Sequence, residues 1–338
     1  MKTRVLAQNL LLSFVSVLFT YVIFETAYAL SGYSPYRSTG QTFQWLVFDP
    51  ILGWMNKPRY NHDWNFIIDK RGFRILPDAP AEAPRTIVCM GDSGTFGFWA
   101  DGTWPTFPDY PNQLQMMLGK STRVVNAGVI GYTSSHLVRQ YMVSVRQQKP
   151  SYIFVRIGFN DHSSSWDVRH AAYEPTSPVR RFLIYSMGST FTVQTAIKLQ
   201  QIRQAPHAFE RPWNTLPAFE ENLDRLIRYA RNDGVKVVLI DYPIRPEVFP
   251  GRVEQDKFPK MGWGVKDYQG LLALHRPYAQ AIADTARRNQ IPLIQTADEL
   301  ERFENQGFSS TDIVHPNLKG YKMIAQRIAE YLQKNSGQ

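Results

Sequence analysis

From Arg85 onward the chain alternates short, continuous apolar runs with longer amphipathic stretches, and this rhythm narrows its fold more than any other feature. "TIVCM" (86–90), "RVVNAGVIG" (123–131), "SYIFVRIGFND" (151–161), "VKVVLIDYP" (235–243) and "IPLIQ" (291–295) read as strands. The end of 107–118, and all of 134–148, 219–234, 268–290 and 317–334, carry apolar residues at helical spacing. Gly234 closes the third of these helices, and Pro277 leaves a kink or restart open in the fourth. Strand and helix in strict turn predict a parallel sheet with helices on both faces. Continuous Val, Ile and Leu runs, rather than period-2 strands, agree with burial on both sides. The expected fold class is α/β.

Two stretches break the rhythm, at about 162–215 and 244–267, each after the C-terminal end of an expected strand. Open α/β sheets gather ligands at that edge. These insertions read as lid or substrate-recognition segments, or otherwise as an oligomer contact or a surface helix. "RRFLIYSMGSTF" within the first also suits a membrane surface. Ahead of the alternating region, residues 31–84 are rich in Tyr, Trp, Pro and Asn and read as an irregular or small-β preface. The Pro/Ala-rich linker at 78–84 divides it from an expected domain spanning 85–338.

Residues 1–30 are of another kind. "MKTR" precedes a long apolar segment that is interrupted only by Gln8, Asn9 and a few hydroxyls before Glu25. Ala27-Tyr28-Ala29 resembles a signal-peptidase site, so a cleaved signal peptide is one reading. The other is an uncleaved anchor, because Val5 to Leu30 is long enough to cross a bilayer. Lys2 and Arg4 place the N-terminus inside and the body outside. Both readings put the body outside the cytoplasm, and the length of the apolar centre favours the anchor in an inner membrane. The formal charge of +9 raises nucleic acid as a partner, but the basic residues are scattered and form no stripe, so none is expected. Cys89, the single cysteine, excludes an internal disulfide and reads as a small buried hydrophobe.

Directly after "TIVCM" comes "GDSGTFG" (91–97), which puts Ser93 where an exposed nucleophile on an α/β sheet would stand. Alone, Gly-Asp-Ser is an ordinary turn. A serine nucleophile needs a base, and the base needs an orienting group. "STDIVHPN" supplies His315 with Asp312 three residues earlier, although the same residues also suit the cap of the last helix. Acyl transfer further needs donors aimed at an oxyanion. "NAGVIG" offers a backbone N–H at Gly131, and "GFND" offers the Asn160 amide, each otherwise a plain helix-entry turn. His162, beside Asn160, reads as a pocket-lining or a solvated residue, and Asp241 as a substrate contact or a loop cap. No Walker or dinucleotide motif is present.

Taken in order, "GDS", "NAGVIG", "GxND" and "DxxH" resemble the block pattern of the SGNH (GDSL-like) hydrolase superfamily over residues 85–334. The resemblance implies a flavodoxin-like three-layer α/β/α sandwich. It implies Ser93 as nucleophile, with Asp312 and His315 as its partners. It also implies oxyanion donors from the Ser93 backbone, the Gly131 backbone and the Asn160 side chain. Gly94 departs from the family's name motif, which has Leu there. "FDPILGWMNKP" and "DKRGFR" in the preface are similar to membrane-anchored bacterial members. The expected protein is an extracytoplasmic serine esterase that needs no metal or cofactor. Its expected substrate is an O-acyl, above all O-acetyl, group on a cell-envelope or secreted carbohydrate. An acyltransferase, a lysophospholipase-type lipid esterase and a silent carbohydrate-binding module are the alternatives.

Overall fold

The computed structural model describes residues 2–31, 45–49, 51–62, 66–76, 78–97, 109–162, 192, 195, 214–244, 265, 267–298 and 314–335. The insertions at 162–215 and 244–267 therefore lie almost wholly outside the described residues, as does Asp312. The chain divides into two units, one of 1–44, 48–54 and 167–206, the other of 45–47, 55–166 and 207–338.

In the first unit, helix α1 (Lys2–Ser31) presents Leu10, Leu11, Phe14, Val17 and Phe19 to its surroundings, each at least 60% exposed. Its segment Val5–Tyr28 has mean hydropathy 1.9 over 24 residues, enough by length and composition to cross a membrane. A signal sequence near the N-terminus has the same character.

The short strands β1 (Leu46–Asp49) and β2 (Gly53–Asn56), each with residues in both units, pair with each other, and β3 (Asn61–His62) pairs with β4 (Phe66–Ile67) in the second unit. Its centre is a five-stranded sheet of β5 (Arg85–Gly91), β6 (Thr122–Gly128), β7 (Tyr152–Arg156), β8 (Lys236–Ile240) and β9 (Leu293–Ile294). The strand order is β6-β5-β7-β8-β9, and every pairing is parallel. This is the doubly wound order of flavodoxin-like sheets, with the direction of winding reversing at β5.

Continuous apolar runs serve this sheet because both faces are covered. Ile87, Cys89, Val124, Phe154, Val238 and Ile240 join one core with α3 (Tyr110–Leu118) and the last helix, Leu318–Lys334. Their strand neighbours Val88, Met90, Val125, Ile153, Val155, Val237 and Leu239 point the other way and are equally buried. That face meets α4 (Ser134–Gln140), α6 (Leu216–Asn232) and α7 (Tyr268–Arg288). α8 is Leu318–Lys334. α7 runs unbroken through Pro277, so the helix does not restart there. α6 ends where expected, with Gly234 at φ +75°.

The stretch expected as one strand over 151–161 is instead a strand and a helical turn. β7 stops at Arg156, Gly158 takes φ +139°, and Phe159–His162 forms α5. Asp161 then accepts hydrogen bonds from Ser134 N (3.0 Å) and Ser134 Oγ (2.6 Å), fixing the start of α4 against α5.

Candidate active site

Three strand ends meet at one edge of the sheet. Gly91 of β5 pairs with Gly128 of β6 on one side and with Arg156 of β7 on the other. Ser93, Gly131 and Asn160 follow these ends by two, three and four residues, so the parallel register alone gathers the three loops. Ser93 begins the single-turn helix α2 (Ser93–Phe96). Asp92 caps that turn, its Oδ1 accepting from Gly94 N at 2.9 Å. α2 lies so close on the sheet that a Cβ at Gly128 would stand 2.2 Å from Phe96 N.

From the opposite end of the sequence, the loop ahead of α8 brings in His315. Its Nε2 lies 2.7 Å from Ser93 Oγ. With the imidazole proton on Nδ1, Nε2 accepts the Ser93 hydroxyl and is placed to take its proton. Ser93 is only 8% exposed and His315 is half-buried, which limits competition from water. Asn317 caps α8 by accepting from Gly320 N at 3.1 Å, so the cap does not consume His315.

The Asn160 amide donates to Tyr132 O at 3.0 Å and to Asp92 Oδ2 at 3.4 Å. It therefore ties the end of β7 both to the Ser93 turn and to the loop after β6. Gly131 lies in that loop at φ +80°, a conformation glycine adopts without strain. Asp92 itself is fully buried. Burial raises its carboxyl above the ordinary value, against the pull of the Arg156 charge, the Gly94 N–H, His315 and the Tyr242 hydroxyl.

Residues 89–323 match the model of the GDSL-like Lipase/Acylhydrolase family. The chain belongs to this family. It is accordingly a hydrolase acting on ester bonds, built on the family's α/β architecture. Among curated proteins, the uncharacterized lipoprotein YqeF of Bacillus subtilis (strain 168) is 32% identical over 76 residues. That alignment covers 22% of this chain and 31% of YqeF, so it spans less than a third of the relative. Among solved structures, the lipase/acylhydrolase from Enterococcus faecalis aligns at TM-score 0.48 and 16% identity, over 74% of this chain and 96% of that one. LAE5, an alpha/beta hydrolase from the metagenome of Lake Arreo, Spain, aligns at 0.45 and 18%, over 73% and 94%. A catalytic mutant of Axe2, an acetylxylan esterase from Geobacillus stearothermophilus, aligns at 0.42 and 17%, over 73% and 94%.

Around this family site the structure places residues that motif reading passed over. Arg74, from the preface, bridges in antiparallel fashion to Asn126 of β6. Its Nη1 pairs with Asp109 Oδ2 at 3.1 Å and donates to Phe96 O at 2.6 Å, at the far end of the Ser93 turn. Asn126 Nδ2 donates to Thr95 O at 3.0 Å, and Asn56 Nδ2 donates to Gly128 O at 3.0 Å. Arg74 closes "DKRGFR" and Asn56 lies in "FDPILGWMNKP", so both noted preface segments reach the site. Tyr242, just past β8, donates to Asp92 Oδ1 at 3.1 Å.

The weaker candidates fall elsewhere. His162 is not solvated: it is buried, with Nε2 2.9 Å from His275 Nδ1. Asp241 fastens the loop after β9, accepting from Thr296 N, Thr296 Oγ1 and Ala297 N. Cys89 is wholly buried in β5, and burial pushes its thiol far up, away from the nucleophilic thiolate.

Proposed function

We propose that the chain is an extracytoplasmic serine esterase in which Ser93 is the nucleophile and His315 its general base. The observation that carries this reading is the 2.7 Å approach of His315 Nε2 to Ser93 Oγ, across 222 residues of sequence. Ser93 Oγ attacks the ester carbonyl as its proton passes to His315. The proton then passes to the departing alcohol oxygen, leaving an acyl-Ser93 ester. Water, deprotonated by His315, attacks that ester, the acid leaves, and Ser93 regains its proton. Asp312, three residues ahead of His315, is assigned to orient the imidazole. The Ser93 and Gly131 backbone N–H groups and the Asn160 amide are assigned to the oxyanion, Asn160 by turning one N–H from its present acceptors.

The substrate we assign is an O-acyl, above all O-acetyl, group on a cell-envelope carbohydrate. α1 supports it, since an anchor or signal at that position delivers the body to the compartment where such polymers lie. A fluorophosphonate probe should label the wild-type protein and fail to label Ser93→Ala, and undiminished labelling of that variant would overturn the nucleophile assignment. An O-acetylated glycan should release acetate faster than lysophospholipid releases fatty acid. The reverse order would reassign the substrate to lipid, and acyl transfer outpacing hydrolysis on adding an acceptor glycan would reassign the reaction.

A further inference from the structure

Arg156 closes β7, is 0% exposed, and among the described residues none of Nε, Nη1 and Nη2 has a hydrogen-bond partner. Its guanidinium stacks on Tyr242, with Cζ 3.9 Å from the ring centroid. A charge so placed has lost its hydration, and ring stacking returns only part of that cost. Core packing by itself does not account for it.

Its neighbourhood does. A Cβ on Gly94 would stand 2.3 Å from Arg156 Nη1, 3.2 Å from Tyr242 Oη and 3.3 Å from Asp92 Oδ1. The Arg156 and Asp92 charges are thus no further apart than the sum of two of those distances. That lies within the roughly 6 Å over which an opposite charge favours a carboxylate. They form no ion pair among the described residues, so the guanidinium acts as a fixed field rather than a direct partner.

Asp92 has work that only a carboxylate can do. Oδ1 accepts from Gly94 N and Tyr242 Oη, and Oδ2 accepts from Asn160 Nδ2. Gly94 N and Asn160 Nδ2 can only donate, so a proton on Oδ2 would set donor against donor and loosen the turn that carries Ser93. Burial favours that proton, as does the nearby Asp161 carboxyl of α5. Arg156 from β7, His315 ahead of α8 and the Tyr242 hydroxyl beyond β8 oppose it. Arg156 also faces Tyr110 of α3, Tyr321 of α8, the Asp241 carboxyl beyond β8, which its charge pulls down, and His275 of α7, which its charge lowers further.

We propose that Arg156 is a positioning residue: its buried charge holds Asp92 as a carboxylate, and through Asp92 it sets the Ser93 turn and the Asn160 amide. The catalytic half of this proposal rests on Ser93 being the nucleophile, whereas the ionisation of Asp92 does not.

Two measurements on the full-length protein separate the two. In the infrared, Arg156→Gln should show more carboxylic-acid C=O absorption near neutral pH than wild type, and the excess should be lost again in Arg156→Gln/Asp92→Asn. In the pH dependence of p-nitrophenyl acetate kcat/KM, Arg156→Gln and Arg156→Met should move the acid limb upward by about one pH unit or more and steepen it. Arg156→Lys, which keeps the charge, should restore the wild-type limb. An unmoved limb with a uniform fall in rate, or Lys behaving as Gln does, would reduce Arg156 to packing. An unchanged infrared spectrum would overturn the proposal whatever the kinetics. A gained C=O band together with undiminished probe labelling of Ser93→Ala would uphold the electrostatics and overturn its link to catalysis.

Discussion

At Gly94 the chain has no side chain where the family's name motif has leucine, and the reason lies on another strand. Arg156 Nη1 fills the space a Cβ would enter, so glycine at 94 and arginine at 156 form one steric unit. Gly94→Ala should therefore overpack the turn and cost about 1–3 kcal/mol in urea unfolding. Gly94→Ala/Arg156→Met should be less destabilised than the two single changes summed, because methionine can yield the space. Strict additivity in that cycle would show that the two residues do not share it.

Among elements, the four-residue α2 is too short to hold itself, since nucleating one turn costs more than its hydrogen bonds return. It is held from outside. Asp92 caps its start, Asn126 takes Thr95 O, and Arg74 takes Phe96 O. Arg74 and Asp109 are both buried, at 6% and 0% of their side-chain surface, and burial pushes Asp109 upward against the pull of Arg74. Arg74→Met strands the Asp109 carboxylate and should cost about 3–5 kcal/mol of unfolding free energy. It should also lower kcat more than it raises KM, since it touches the nucleophile turn and not the substrate. A loss below about 1 kcal/mol would mean the preface only rests against the body. The Pro/Ala-rich 78–84 linker marked a boundary in composition, but ties from Asn56 and Arg74 reach across it.

At the scale of the whole molecule, buried titratable groups set how stability follows pH. Neutral His275 donates from Nε2 to Tyr242 O at 2.6 Å and presents Nδ1 to His162. Burial lowers His275 to about 4, and burial with the neighbouring His275 takes His162 well below its usual value. Unfolding frees both to protonate near 6.5, so their contribution is whole above that pH and drains away as pH falls toward 4. Asp161, raised by burial to about 6, works in the opposite direction over much of the same range. The clean measurement is thus a difference. Against wild type, His275→Gln should flatten the fall in unfolding free energy between pH 6.5 and 4, by up to about 1.4 kcal/mol per pH unit. Parallel curves would show that His275 is already charged in the fold.

Local chemistry alone determined much of this protein. Apolar runs and helical spacing are repeated along each segment, so the parallel sheet, its flanking helices and the long apolar N-terminal segment were legible without coordinates. So were the strand-end positions of Ser93, Gly131 and Asn160, because a parallel sheet brings successive strand ends to one edge. The position of His315 ahead of the last helix was legible too, though its approach to Ser93 Oγ belongs to the fold. Arg156, Arg74, Asn126 and Tyr242 were not. Arg156 read as the middle of a strand over 151–161, yet the strand stops there, Gly158 turns the backbone, and the guanidinium stays inside. What each of these side chains does depends on partners 22 to 150 residues away, and no local pattern records such a pairing. Only the tertiary fold, by excluding water from around them, turned ordinary polar residues into the frame that holds the Ser93 turn.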